Sequence, residues 1–228
     1  MKRLFVIFII GFLAFVYFVY KSSFLPVDRF IKLEREKKEG EIRYSISSIP
    51  LSKDSFRDWE VFLNSNDTRD LAFFEGRYYL ATSGGLKVYD RNLNLLRKIT
   101  HLDGIIENNI TSLAIFENRL YIGFTTRGIM SLYGDRFTHY LFEDPDLCKT
   151  TSFLPTKDGL YIGTEKGLIR FDGKGFLKIG DFKRITAISI LGKEPVIGTY
   201  DNGLYLLRGN KLKNSNYSPY REIRNVYV

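Results

Sequence analysis

The stretch THLDGIIENNITSLAIFENRLYIGFTTRGIMSLYGDRF, residues 100–137, decides the fold. It opens with a turn signal, Asp103-Gly104, and an Asn109-Ile110 strand start. An apolar, β-branched run follows at Ile110–Phe116, and Glu117-Asn118 breaks it. A second run, Arg119–Phe124, carries a small residue, Gly123, in its middle. Thr125–Gly128 reads as a tight turn, and a third run, Ile129–Tyr133, leads out of it. Gly134-Asp135 makes the next turn, and Arg136–Phe142 reads as a fourth strand. Four short strands joined by turns form an antiparallel meander with no room for a crossover helix.

The same pattern recurs on both sides. The central hairpin appears as GRYYLATSGGLKVYD (76–90), GLYIGTEKGLIRFDG (159–173) and KEPVIGTYDNGLYLLRG (193–209). The small residue falls at Ala81, Gly123, Gly163 and Gly198, where a side chain would hold a neighbouring sheet away. A turn glycine falls at Gly85, Gly128, Gly167 and Gly203, at spacings of 43, 39 and 36 residues. A strand precedes each hairpin, at Asp70-LAFF, Ile110-TSLAIF, Thr151-SFL and Ile185-TAISIL. Another follows, at Leu93-NLLRKI, Arg136-FTHYLF, Gly175-FLKI and, more weakly, Lys211-LK. Four strands per repeat of roughly 40 residues predict the blade of a β-propeller. The expected fold is therefore all-β, a propeller of four-stranded antiparallel blades with about four to five blades present. The aromatic content agrees: 19 Phe and 15 Tyr in 228 residues favour pleated, half-buried strands.

The repeats resemble the two-component regulator propeller family. The resemblance rests on Asp103, Gly104, Asn109, Ile110, Gly123 and Gly128, and in the later repeats on Gly163-Thr164, Gly167-Leu168, Gly198-Thr199 and Gly203-Leu204. It covers about residues 60–212 and is most specific in the second repeat. Tyr121 and Tyr161 stand where the family usually has Trp, and Ala81 replaces a glycine. The fourth repeat has Asp181-FKR in place of the Asp-Gly turn. Repeats of the pyrroloquinoline-quinone type read similarly around I-G-T-x-x-G-L-Y but lack the D-G-x-x-x-N lead-in. The first resemblance implies an extracytoplasmic sensing module. A protein-interaction scaffold in the envelope is the alternative, and a propeller lyase or hydrolase is a more distant one.

The ends leave the blade count open. Glu41-IRYSISSI and Asp58-WEVFL read as strands ahead of the first inner strand, and Arg221-EIRNVYV reads as the first strand of a fifth blade. Either the ends pair into a composite fifth blade, or the chain is a truncated part of a larger ring. The mid-strand stop at Val226-Tyr227-Val228 favours truncation.

Leu4–Tyr20 is a 17-residue apolar run flanked by Lys2, Arg3 and Lys21. As a helix it would rise about 26 Å, near the thickness of a bilayer core. It is longer and bulkier than a signal-peptide core, and no A-x-A site follows. The expected organisation is a transmembrane anchor at 1–21, a charged juxtamembrane linker at 22–41 and propeller repeats at 42–228. The short basic N-terminus favours an N-inside, single-pass topology. The propeller would then face the periplasm from a bacterial inner membrane, held by residues 4–20.

Strand order places the entry to each inner strand and the second-to-third turn on one face. That face is the expected ligand- or partner-binding surface. It comprises Arg69 and Asp70; Asn108, Asn109, Thr126 and Arg127; Lys149, Thr150, Glu165 and Lys166; and Lys183, Arg184, Asp201 and Asn202. The partner expected there is a small ligand or a protein. The net charge of +8 is scattered, and no basic-aromatic motif points to nucleic acid. Catalytic residues, metal ligands and cofactors are not expected. Cys148 is the lone cysteine, and His101 and His139 lack metal-ligand spacing. Asp90-RNLN begins like a calcium loop, but Leu95 and His101 stand where that loop needs Gly and Glu.

Overall fold

Four antiparallel sheets follow one another along the chain in this computed structural model, which describes residues 40–52, 63–209 and 211–214. An N-terminal strand, β1 (Tyr44–Pro50), precedes them. Blade one holds β2 (Thr68–Phe74), β3 (Arg77–Thr82), β4 (Gly85–Tyr89) and β5 (Leu95–Ile99). Blade two holds β6 (Ile110–Phe116), β7 (Arg119–Phe124), β8 (Ile129–Tyr133) and β9 (Arg136–Phe142). Blade three holds β10 (Thr150–Thr156), β11 (Gly159–Thr164), β12 (Gly167–Phe171) and β13 (Phe176–Gly180). Blade four holds β14 (Ile185–Leu191), β15 (Glu194–Thr199), β16 (Leu204–Arg208) and β17 (Lys211–Asn214). Each blade is a simple meander, as the repeat predicts. The chain is an all-β propeller of four-stranded antiparallel blades.

The blades stack face on face, and the core lies in the seams. Ala81, Leu86 and Val88 of blade one pack with Ile110, Leu120 and Ile122 of blade two. The next seam is aromatic: Phe171 stacks on Phe176 with ring centroids 4.6 Å apart, and Tyr121 lies 5.9 Å from Phe171. The third joins Tyr161 and Leu168 to Ile185 and Ile197. Burying each such side chain contributes about 1.5–3 kcal/mol. The small residues permit this approach. A Cβ on Gly163 would lie 2.7 Å from Ile185 of the next blade, and one on Gly123 would lie 2.6 Å from Thr150. The turn glycines are required by backbone conformation, with φ of +75° at Gly128 and +131° at Gly167.

β1 departs from expectation. It is a strand, but it joins neither the front of blade one nor a composite fifth blade. It pairs antiparallel with β9, from Tyr44↔Phe142 to Pro50↔Arg136, as a fifth strand on blade two. The reason lies in its flanks. Upstream, Gly40 O accepts a hydrogen bond from Lys178 N–H at 2.9 Å, and Ile42 N–H donates to Phe176 O at 3.0 Å, so the segment first crosses blade three. Downstream, Leu51 N–H donates to Asp135 O and Ser52 N–H to Asp103 O, both at 3.0 Å. Ile42 and Tyr44 pack into the seam between blades two and three, and Ile49 and Leu51 into the seam between blades one and two. Residues 40–52 therefore form a strap across two seams. Asp58-WEVFL up to Phe62, Arg221-EIRNVYV and the apolar run 4–20 lie outside the described residues. Among the described residues no helix is long and apolar enough to cross a membrane.

Candidate functional site

Each inner strand begins with the same irregularity. The pairing register slips by one residue at Thr68/Asp70, Ile110/Ser112, Thr150/Ser152 and Ile185/Ala187. The extra residue is Arg69, Thr111, Thr151 and Thr186 in turn. A bulge adds local twist and re-aims a side chain. All four extra residues line one cavity of about 620 Å³.

A second repeated feature builds the rim. The first residue of each hairpin turn donates its N–H to the carbonyl just before the inner strand. The four bonds are Ser83→Asp67 at 3.2 Å, Thr125→Asn109 at 3.2 Å, Glu165→Lys149 at 3.1 Å and Tyr200→Arg184 at 3.0 Å. The bond binds turn to strand entry in every blade; the strand entries of all four blades line the cavity, and the turns of blades two and three do so through Thr125, Thr126 and Glu165. In three blades a buried threonine also clamps the turn. Thr82, Thr164 and Thr199 donate through Oγ1 to Gly85, Gly167 and Gly203 carbonyls at 2.7, 2.8 and 2.8 Å. Blade two has Phe124 there instead.

Of the residues expected on this face, Arg69, Asn109, Thr126, Lys149, Glu165 and Arg184 line the cavity, as does Thr150. The others are engaged elsewhere. Asp70 Oδ2 accepts Ser112 Oγ–H at 3.0 Å and Leu113 N–H at 2.7 Å, tying blade one to blade two. Asn108 Nδ2 lies 2.7 Å from His101 Nδ1. The Arg127 carbonyl lies 2.7 Å from His139 Nε2. Lys166 pairs with Asp144 at 2.7 Å. Asp201 Oδ1 accepts Asn202 Nδ2–H at 2.9 Å, and Asn202 N–H donates to Thr199 Oγ1 at 3.1 Å. Lys183 Nζ lies 5.4 Å from the Tyr200 ring centroid.

The cavity also takes Thr111, Thr125, Thr151, Ile185 and Thr186, which the sequence reading did not single out. Three of them sit at the bulge. The only available signal was their common place one residue before Ser112, Ser152 and Ala187 in the aligned repeats.

The charged groups are positioned across blades. Arg69 Nη1 donates to Asn109 Oδ1 at 2.7 Å, and its Nη2 meets Asp67 Oδ2 at 3.0 Å. Arg184 Nε pairs with Glu165 Oε1 at 3.2 Å. Lys149 Nζ pairs with Asp146 Oδ1 at 2.7 Å, and that hydrogen bond raises the Lys149 pKa, keeping it charged. Glu165 is the one carboxylate in the lining, against three cations; Asp67 and Asp146 lie outside it. The hydroxyl oxygens of Thr111, Thr151 and Thr186 are buried with no hydrogen-bond partner.

Metal-ligand geometry is not found: among the described residues no three His, Cys, Asp or Glu side chains gather. The oxygens of the Asp90 loop serve the loop itself. Asp90 Oδ1 accepts the Asn92 and Asn94 N–H groups, both at 2.8 Å, and Oδ2 accepts Asn94 Nδ2–H at 2.9 Å.

Fold and cavity together define a propeller with a polar site at the strand-entry face. Among solved structures the chain is similar to a domain described as the extracellular part of a hybrid two component system, BT4673, from B. thetaiotaomicron. That likeness has a TM-score of 0.59 and 21% identity, covering 71% of this chain and 24% of the other. The computationally designed Ika4 protein matches with a TM-score of 0.50 and 18% identity, over 64% of this chain and 92% of that one. Virginiamycin B lyase from Staphylococcus aureus matches with a TM-score of 0.52 and 6% identity, over 75% and 59%. At these identities the likeness is one of fold. The chain spans about a quarter of that extracellular domain. No protein-family model matches the chain, and no curated protein matches its sequence.

Proposed function

We propose that this propeller is a non-catalytic, extracytoplasmic binding module of the sensory kind, taking a small ligand in the cavity at the strand-entry face. One observation carries the reading. Four bulges, one at the start of each blade's inner strand, bring Arg69, Thr111, Thr151 and Thr186 to a single cavity. Bulges gather where a side chain must be re-aimed. The cavity lies within the size range of small-molecule sites. The likeness to the extracellular domain of a two component system supports the same reading at the level of fold. Residues 4–20 would hold the module to the membrane, with the propeller on the outer side. Protease added to intact spheroplasts should then digest the propeller, and full protection would reject that topology.

Filling the cavity tests the binding reading. Thr126 sits on the rim, with N–H and Oγ1 both held by Glu107 Oε2 at 3.0 Å. The full chain and a Thr126→Trp variant are screened against a small-molecule library by thermal unfolding. A compound that raises the midpoint of the parent but not of the variant supports the reading, because only a folded-state ligand raises it. No such compound, or equal shifts in both proteins, would reject it.

A further inference from the structure

We propose that the face of blade one turned away from blade two docks on an anionic lipid bilayer. This rests on the membrane-anchored reading above and adds a second, weaker contact to it. In the later blades the corresponding face is a seam, packed on the blade before. One row of that face reads Leu113-Ile122-Met130-His139 in blade two and Phe153-Ile162-Ile169-Lys178 in blade three. In blade one the same row reads Leu71-Leu80-Lys87-Lys98. The row beside it runs from Phe73 to Leu95 through Tyr78 and Tyr89. This face is open: Leu71 and Leu95 are 58% and 55% exposed, where Leu113 and Phe137 of blade two are 6% and 0%.

The lysines decide between another blade and a membrane. Met130 and Ile169, the counterparts of Lys87, are 0% exposed. A blade seated here would bury the Lys87 ammonium directly opposite Lys98, with no acid in either row to answer it. Lys98 Nζ meets the Leu63 carbonyl at 3.4 Å, a neutral acceptor that leaves its charge standing. An anionic headgroup layer answers both lysines, while the apolar side chains enter the acyl boundary and the tyrosines sit at the interface. The outer corner of the blade carries the same chemistry outside the seam rows. Leu93 and Leu96 belong to neither row, yet are 68% and 52% exposed. Leu93 stands in the loop tied by Asp90 with φ of +64°, a conformation bulky residues rarely adopt. Arg91 of that loop lies over the Phe73 ring, 5.8 Å from its centroid. Residues 21–39 can reach no further than about 65 Å at full extension, so the bilayer is always near and a weak surface suffices.

The test reconstitutes the full chain in phosphatidylcholine vesicles with and without phosphatidylglycerol. A spin label is attached at Leu93→Cys or, as a control on blade four, at Leu191→Cys. Both positions are exposed, and Cys148 is buried. In the anionic vesicles oxygen should reach the label at 93 while an aqueous nickel chelate does not, and the label at 191 should stay open to nickel. Raised salt should return the 93 label to water. Lys87→Gln/Lys98→Gln should weaken docking about 30-fold, at about fivefold per lysine. A label at 93 as open to nickel as the one at 191 would overturn the proposal. So would immersion indifferent to salt and to the lysines. A 93 label closed to oxygen and nickel alike would mean a protein partner or a second copy, and would overturn it too. Chain that does not float with the vesicles rejects the anchor and the docking with it. Chain that floats with its 93 label in water rejects the docking alone.

Discussion

At the scale of the residue, the strand-entry face carries a charge pair that titrates. Lys166, in the hairpin turn of blade three, meets Asp144 in the connection between blades two and three at 2.7 Å. Its hydrogen bond holds the Asp144 carboxyl below the ordinary value of 3.8, and the same bond raises Lys166. A carboxyl lowered by folding stabilises the fold above its unfolded pKa and loses that effect as pH falls through the folded value. The pair should therefore act in full at neutral pH and fade below about pH 4, the unperturbed aspartate range. In Asp144→Asn the fall of the unfolding midpoint between pH 5 and pH 2 should be shallower. An unchanged slope would place the acid sensitivity elsewhere. Lys166 works in the opposite sense, and its contribution is lost only at strongly alkaline pH.

At the scale of the element, the seams depend on one atom-sized allowance per blade. A Cβ on Gly163 would lie 2.6 Å from Ser152 Oγ and 2.8 Å from Thr151 Oγ1, as well as against Ile185. Gly163→Val should cost about 1–3 kcal/mol through overpacking, measured by denaturant unfolding with an unchanged m-value. An undiminished stability would mean that the seam can open without penalty. This element was readable from sequence, because a glycine between apolar strand residues says that something comes close. Strand limits were readable too, and Ile110–Phe116 and Arg136–Phe142 fall where periodicity and turns put them. The bulges were not. Their extra residue is an ordinary Arg or Thr, and a one-residue slip appears only when both strands of a pair are seen. Hence Arg69 and Asn109 were readable as residues of the strand-entry face, where they line the cavity, while Thr111, Thr151 and Thr186 were passed over. Asp70 and Asn202 show the converse limit: a polar residue on the strand-entry face can be consumed by its neighbours.

At the scale of the whole molecule, the strap couples blades that the repeat alone joins only through their faces. Its downstream end is secured by Arg97, which donates to the Ser52 carbonyl and pairs with Asp103 at 2.7 Å. Asp103 is 2% exposed and also accepts Thr100 N–H at 2.8 Å. Arg97→Ala removes the cation from a buried carboxylate, at a cost on the order of 3 kcal/mol. Amide exchange at 44–50 should accelerate more than at β11. Equal acceleration everywhere would mean that the strap and the blades open as one unit. The pattern YSISSI announced a strand, yet nothing local could say which sheet edge would receive it.

That strap also fixes an order of assembly. Ser48 reaches Arg136, 88 residues further along the chain, so this strand leaves the ribosome long before its partner exists. Closing a loop of that length costs about 4 kcal/mol in chain entropy beyond the constant term. Until blade two has formed its outer edge, β1 has no partner strand to pair with. Among the described strands the first to be translated thus waits for blade two to be completed, while blades three and four are still to come.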